Sequence, residues 1–328
     1  MINKVAVVGA GLMGSGIARH MASHGADVTL LDKEQVQLDR VSQHFENLPV
    51  TLTTDLDKLI DREFVIEAVF EDRDVKRHVL KEIAAHVSTE TIIATNTSSL
   101  LVSDLSESVP GPNRFLGVHY NNPPDFNPVV EIIPSAQTSK AIRNSVRSWI
   151  SSMDKRAILC ADTPCFILNR QSLPYINEAA RCLDIATPAQ VDAIACEFLG
   201  VGLGPFAVMN LVGLPVMAAA SRNLAVLGKG YQASLELQTL STSSEPNWVI
   251  SEAAECQPAV QLAVKDRLLG AMIYPGKDIR EQDLCSRDDL HEICKEALGY
   301  GRSSVEHLES LDPSEIDRLI SIYLGGQE

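Results

Sequence analysis

The sequence predicts an α/β fold: a doubly wound, mostly parallel sheet over the first half of the chain, followed by an all-α half. Three observations predict it. Short apolar runs alternate with helical patterns from Lys4 to Met153. A glycine triplet closes the first of those runs. After about Ala161 the strand-like runs stop and helical spacing takes over. Strands separated by helices imply a parallel sheet covered on both faces.

The elements follow in order. "KVAVVGAG" is a first strand ending in glycines, and "GSGIARHMASHG" is a helix closed by Gly25. "ADVTLLD" is a second strand, and "QVQLDRVSQHFENL" a second helix. "REFVIEAVF" is a third strand, followed by the charged helix "DVKRHVLKEIAAHV". "TIIATN", "RFLGVHY" and "PVVEIIP" bring the strands to six, and "SKAIRNSVRSWISSM" is a further helix.

The first turn reads "GAGLMGSG", in which Gly9, Gly11 and Gly14 satisfy GxGxxG. Gly9 permits the tight turn, Gly11 lets a pyrophosphate approach the backbone, and Gly14 lets the helix pack on the strand. The N–H groups of the helix start, at Leu12 and Met13, then face the phosphates. The motif follows a strand and opens a helix, which makes it specific for a Rossmann dinucleotide site. Asp32 ends the second strand, where an acidic group accepts the ribose hydroxyls and repels a 2′-phosphate. NAD is therefore expected over NADP. Taken alone, Asp32 would read as a strand-end turn residue.

Bulk properties narrow the function. A chain of 328 residues is long for one core, so two domains are expected: 1–160 for the cofactor and 161–328 for the helical part. The formal net charge of −15 argues against a general nucleic-acid or anionic-membrane binder. No apolar run reaches the ~20 residues of a membrane span, and "MINK" leads straight into the first strand. A cytoplasmic protein is expected. The seven cysteines include no CxxC pair and read as reduced core thiols. No His/Cys/Asp/Glu cluster has metal-ligand spacing, so no metal is expected.

The segments "GAGLMGSGIA", "VIEAVFED", "NTSSL", "GVHYNNP…VVEIIP", "DTPCFILNR" and "GLGPF" are each short, but their order and spacing are specific. On them the chain resembles the 3-hydroxyacyl-CoA dehydrogenases, from the N-terminus to about Leu214 and more faintly to the end. The resemblance implies NAD-linked oxidation of an L-3-hydroxyacyl group to the 3-oxo form. His119 matches the family's catalytic histidine, and Glu131 the glutamate paired with it. Ser98 matches the serine that hydrogen-bonds the reacting oxygen, and Asn169 the asparagine beside the substrate. Glu71 and Lys76 match positions beside the nicotinamide end of the cofactor. Asn122 matches the asparagine after the histidine, and with Asn96 is counted among the cofactor residues.

The chemistry suits these residue types. Oxidising a secondary alcohol removes the hydroxyl proton as well as a hydride, and a neutral imidazole is a suitable base near pH 7. The imidazolium then needs an orienting carboxylate. Glu131 stands in an apolar strand, where an unpaired carboxylate is costly, and His119 is the nearest candidate partner. Taken alone, Ser98 reads as a helix cap, Asn169 as a turn or cap residue, and Glu67 as a structural carboxylate.

The helical half shows a faint internal repeat, 162–240 and 260–328. "VKDRLLGAMIYPG" resembles "ILNRQSLPYINEA", and "DDLHEICKEALGYG" resembles "AQVDAIACEFLGVG". Ser241 to Asn247, "STSSEPN", is the expected connection. In short family members the helical domain pairs between subunits to form a homodimer. An internal copy would replace that partner and make a monomer.

Three departures bear on the substrate. The segment between Asp32 and the third strand is too short for the family's basic helical hairpin that helps hold coenzyme A. Tyr120 and Asn121 replace the aromatic pair after the histidine, and "PPD" is added, as in sugar-acid and carnitine dehydrogenases. Asn210 stands where an aspartate is frequent. An L-3-hydroxyacyl-CoA is the first expectation. The alternatives are a free 3-hydroxy acid (sugar acid or carnitine), a carrier-protein thioester, or a non-catalytic NAD-binding protein like the crystallin relatives.

Overall fold

A computed structural model describes residues 2–251 and 255–327. The chain divides into two units, with the boundary between Asp162 and Thr163.

The first unit is an eight-stranded sheet flanked by helices. Its strands are β1 (Lys4–Val8), β2 (Asp27–Leu31), β3 (Val50–Thr53), β4 (Phe64–Glu67), β5 (Ile92–Thr95), β6 (Phe115–Tyr120), β7 (Val129–Pro134) and β8 (Arg156–Leu159). They lie in the order β3-β2-β1-β4-β5-β6-β7-β8. The first six run parallel, β7 runs antiparallel to β6, and β8 is parallel to β7. The helices are α1 (Leu12–Ser23), α2 (Gln35–Val41), α3 (Arg73–His86), α4 (Val102–Ser106) and α5 (Lys140–Ser151). The central strands read as continuous apolar runs because both faces are covered: every side chain of β4, β5 and β6 is buried.

Two strands go beyond the six read from sequence. β3 and β8 are the two edges of the sheet. β3, "VTLT", keeps its side chains half-exposed or exposed, and β8 begins with the exposed Arg156. An edge strand need not be apolar on both faces, so no run marks β3, while β8 lies in the short run Ala157–Ala161. The second helix also differs. It is α-helical only to Val41 and tightens to a 3₁₀ turn over Ser42–Phe45.

The second unit is helical: α6 (Leu168–Arg181), α7 (Pro188–Ile194), α8 (Pro205–Val212), α9 (Leu214–Leu224), α10 (Leu235–Leu240), α11 (Pro258–Glu281), α12 (Arg287–Glu292), α13 (Ser304–Ser310) and α14 (Pro313–Gly325). The internal repeat is visible in its geometry. The starts of α7, α8 and α9 recur about 99 residues later as those of α12, α13 and α14. Both α7 and α12 widen into a single π-helical turn, Ala195–Leu199 and Ile293–Ala297. Each leads into a left-handed glycine, Gly200 at φ 66° and Gly299 at φ 65°.

The two copies face each other. A Cβ on Gly301 would lie 2.6 Å from the Gly200 carbonyl oxygen, so only glycine allows that approach. Reciprocal ion pairs cross between the long helices α6 and α11. Arg170 pairs with Asp278, and Arg267 Nε donates to Glu178 Oε1 at 2.6 Å. Beyond α10 the chain is non-helical as far as Ile250, and Asn210 pins it by bonding both the N–H and the C=O of Trp248, at 2.8 and 2.9 Å. An aspartate there could accept but not donate.

Two buried histidines tie stability to pH. Burial lowers His20 and His307 to about 4. The unfolded chain takes up these protons near the ordinary histidine value of ~6.5, so it binds more protons than the fold between there and about 4. Stability is present above that window and is lost as pH falls through it. The expected loss is about 2 kcal/mol per histidine at pH 5. Urea midpoints measured from pH 7.5 to 5 check this, and a flat profile would contradict it.

Candidate active site

Gly9 leaves β1 at φ +109°, and a Cβ there would sit 2.7 Å from the Ala68 carbonyl oxygen. A Cβ on Gly14 would lie 1.8 Å from the Gly9 carbonyl oxygen, so α1 rests directly on the turn. A Cβ on Gly11 would meet nothing within 4 Å, and Gly11 caps α1 without a side-chain acceptor. The start of α1 at Leu12 and Met13 therefore faces open space with its N–H groups and positive dipole end, and Leu12 is 74% exposed. Asp32 arrives on the neighbouring strand. Its carboxylate accepts from Ala10 N at 2.8 Å and from Glu34 N at 2.9 Å, fixing it beside the turn. Open glycine backbone, an uncapped helix start and an adjacent carboxylate fit a dinucleotide with free ribose hydroxyls.

The carboxyl ends of β4, β5 and β6 carry the other candidates in this unit. His119 is the penultimate residue of β6 and stands opposite Glu131 in the antiparallel register. Its Nδ1 is 2.7 Å from Glu131 Oε2. His119 is 4% exposed and Glu131 is fully buried. The antiparallel turn of β7 creates this pair, since directly opposed residues point to the same face. With a carboxylate on Nδ1, the ring presents Nε2 as its other nitrogen. Asn96, just past β5, accepts the Tyr120 N–H on its Oδ1 at 2.8 Å and so ties β5 to the end of β6. Its side chain is thus committed beside the histidine strand.

Ser98 lies in the turn after β5, and Glu71 organises that turn. Its Oε1 accepts from Ser98 N and Ser99 N at 2.9 Å, from Thr97 Oγ1 at 2.6 Å and from Ser99 Oγ at 2.8 Å. Burial pushes the Glu71 carboxyl up, but Lys76 and these donors together outweigh it and hold it below the ordinary glutamate range. Lys76 is buried, with Nζ 2.7 Å from Glu67 and 3.3 Å from Glu71. Glu67 is itself fully buried and also accepts from Thr95 Oγ1 at 2.7 Å. The carboxylate in an apolar strand was the sequence signal for Glu67, and its partners make it a buttress under the turn.

The loop after β6 is clamped to α1. Pro124 packs on Gly16, where a Cβ would come within 2.8 Å of the proline ring. Asp125 forms a two-pronged pair with Arg19. Asn121 Nδ2 reaches Val129 O at 3.3 Å, and the adjacent Asn122 is half-buried. The added "PPD" therefore anchors the histidine strand to the helix that starts at the glycine loop. Asn169 lies in the first turn of α6, in the second unit. Cys160, just past β8, is a contact that sequence reasoning missed: its Sγ lies 3.6 Å from Glu131 Oε1. It carried no signal beyond being a thiol in an apolar run. Among the described residues no group of three or more His, Cys, Asp or Glu could hold a metal, and no single helix is long and apolar enough to cross a membrane.

Comparison with known proteins gives a consistent family. Residues 4–163 match the family model of the 3-hydroxyacyl-CoA dehydrogenase NAD binding domain, and residues 166–244 that of the 3-hydroxyacyl-CoA dehydrogenase C-terminal domain. A probable 3-hydroxyacyl-CoA dehydrogenase of Caenorhabditis elegans is 32% identical over 241 residues, covering 65% of this chain and 78% of that protein. The chain belongs to the 3-hydroxyacyl-CoA dehydrogenase family. Like its family, it is an NAD-dependent oxidoreductase.

Solved structures extend the likeness in 3-hydroxyacyl-CoA dehydrogenase relatives. An (S)-3-hydroxybutyryl-CoA dehydrogenase from Ralstonia eutropha superposes with a TM-score of 0.68 at 30% identity, over 73% of this chain and 93% of that one. A 3-hydroxybutyryl-CoA dehydrogenase from Escherichia coli superposes with a TM-score of 0.83 at 20% identity, over 98% of this chain and 94% of that one. The second shows the fold alone, but over nearly the whole length. The second helical copy lies beyond the C-terminal family match.

Proposed function

We propose that this chain oxidises the 3-hydroxyl of an L-3-hydroxyacyl-CoA to the 3-oxo group, with NAD as hydride acceptor. The observation that carries the reading is the buried His119–Glu131 pair at the carboxyl edge of the sheet. NAD, when bound, supplies the hydride-accepting ring. The glycine loop and the start of α1 would hold its phosphates, and Asp32 its adenosine ribose. Glu71, Lys76, Asn96 and Asn122 act at the nicotinamide end by holding the turns there. His119 accepts the hydroxyl proton on Nε2. Glu131 fixes the tautomer and stabilises the imidazolium. Ser98, whose hydroxyl rests on Glu71 Oε1 at 3.3 Å, turns from it to donate to the reacting oxygen, and Asn169 keeps the substrate role that the resemblance implies.

A second reading, a free 3-hydroxy acid, is favoured by one observation. Between Asp32 and β4 the chain forms only a short helix, β3 and a turn, with no helical hairpin to hold coenzyme A. A panel of L-3-hydroxybutyryl-CoA, L-carnitine and L-gulonate with NAD separates the two. Turnover of the thioester is expected. NADH formation only with a free acid would reverse the order, and tight NAD binding with no turnover would leave a non-catalytic protein.

We further propose that the chain works as a monomer, the second helical copy standing where a partner subunit would. The crossed Arg170–Asp278 and Arg267–Glu178 pairs within one chain support this. Sedimentation should give the mass of one chain, 35.7 kDa, and a stable species of twice that mass would refute it.

A further inference from the structure

We infer that Cys160 is a positioning residue for the proposed base, holding the second oxygen of Glu131 so that the first stays on His119. The inference rests on the reading of His119 and Glu131 as the proton-accepting pair. His119, Glu131 and Cys160 come from three neighbouring strands, Glu131 within β7 and Cys160 just past β8. His119 faces Glu131 across β6 and β7, and Glu131 is registered with Ile158 on β8. Cys160 lies two residues beyond Ile158, on the same face of the sheet. Its N–H donates to Ile132 O at 3.0 Å, so the ladder pins its backbone beside Glu131. Its thiol donates to Glu131 Oε1 at 3.6 Å, while Oε2 meets His119 at 2.7 Å.

The physical need for such a residue comes from the glutamate side chain. The last torsion of a glutamate is broad, so nothing intrinsic sets the plane of its carboxylate. Ligating both oxygens sets it. A buried thiol commonly settles on a carbonyl, as Cys165 does with Ala220 O at 3.5 Å. Cys160 also lies 3.9 Å from Ile158 O but comes closer, at 3.6 Å, to a fully buried carboxylate, which makes its weak donor useful. A thiol is also a modest donor, so it orients Glu131 without drawing it off the histidine.

The test compares Cys160→Val, which fills the space without a donor, with Cys160→Ser, which keeps one. His119→Gln is the reference, and L-3-hydroxybutyryl-CoA and NAD are the probes. The Val variant should keep its melting temperature and KM while kcat falls about five- to tenfold, the scale of one weak hydrogen bond to a charged group. The Ser variant should recover most of that loss. Wild-type kcat in Cys160→Val beside an inactive His119→Gln overturns the positioning role alone. So does a Val variant whose loss lies in KM, or a Ser variant no better than Val. No turnover by the unmodified protein, or full turnover by His119→Gln, removes the proton-transfer reading and this inference with it.

Discussion

His119→Gln should lower kcat by about 10²- to 10⁴-fold, the range that a positioned general base contributes. Glutamine keeps a polar side chain of similar reach opposite Glu131 but cannot take up the hydroxyl proton at neutral pH. NAD affinity should be unchanged, because the glycine loop and Asp32 lie on β1, α1 and β2, away from the β6–β7 pair. Rapid-mixing kinetics and a fluorescence titration of NAD read the two quantities separately. Turnover within a few-fold of wild type would end the assignment of His119. A parallel loss of NAD binding would mean that the substitution disturbs the sheet edge and not the chemistry. The prediction is steep because two buried groups are arranged for one proton: Glu131 is fully inaccessible and already bonded to the imidazole. Such an arrangement is costly to maintain unless both partners are present.

Arg267→Ala should destabilise the helical unit by about 1.5–3 kcal/mol, the scale of one charge-assisted bond lost from a buried carboxylate that keeps only Arg181. Glu178 is fully buried, and burial already raises its carboxyl above the ordinary value against the pull of Arg267 and Arg181. Removing Arg267 takes away the 2.6 Å bond to Glu178 and the bonds to Asp184 at 2.8 and 2.9 Å. Arg287→Ala is the control. Its pair with Glu309 is solvent-exposed, and breaking it should leave the unfolding midpoint in place. Equal midpoints for the two variants would contradict the view that the crossed pairs hold the helical copies together. Additional loss of the helical unit's structure in Arg267→Ala at low urea would strengthen it.

Local order was readable wherever a residue type had a local reason. GxGxxG followed by a helix needs glycine at Gly9 and Gly14 because backbone oxygen atoms occupy the space a Cβ would take. Asp32 became a candidate through its position at the end of the second strand together with the glycine loop beside it. Apolar runs marked the central strands because both faces of a parallel sheet are covered. The same logic fails at the edge strand β3, whose side chains are half-exposed or exposed and form no apolar run, while β8 lies in a short one. The repeat was faint in sequence because exposed helix faces tolerate change. It is clear in structure because the paired π turns and left-handed glycines recur at one spacing.

By itself, the sequence determined the class of fold, the cofactor and the candidates His119 and Glu131, since each rests on residue type, order or spacing along the chain. Tertiary structure decided what these residues touch. It turned β7 antiparallel, so that residues twelve apart in the chain became direct neighbours. It gave Glu71 to the turn that carries Ser98, buried Lys76 against Glu67, and brought Cys160 to the far oxygen of Glu131. It also made "PPD" a clamp onto α1 through Arg19 and Gly16. The physical reason is one of range. Propensity and periodicity act within a few residues, whereas hydrogen bonds between strand ends depend on register and strand order, which only the packed sheet defines.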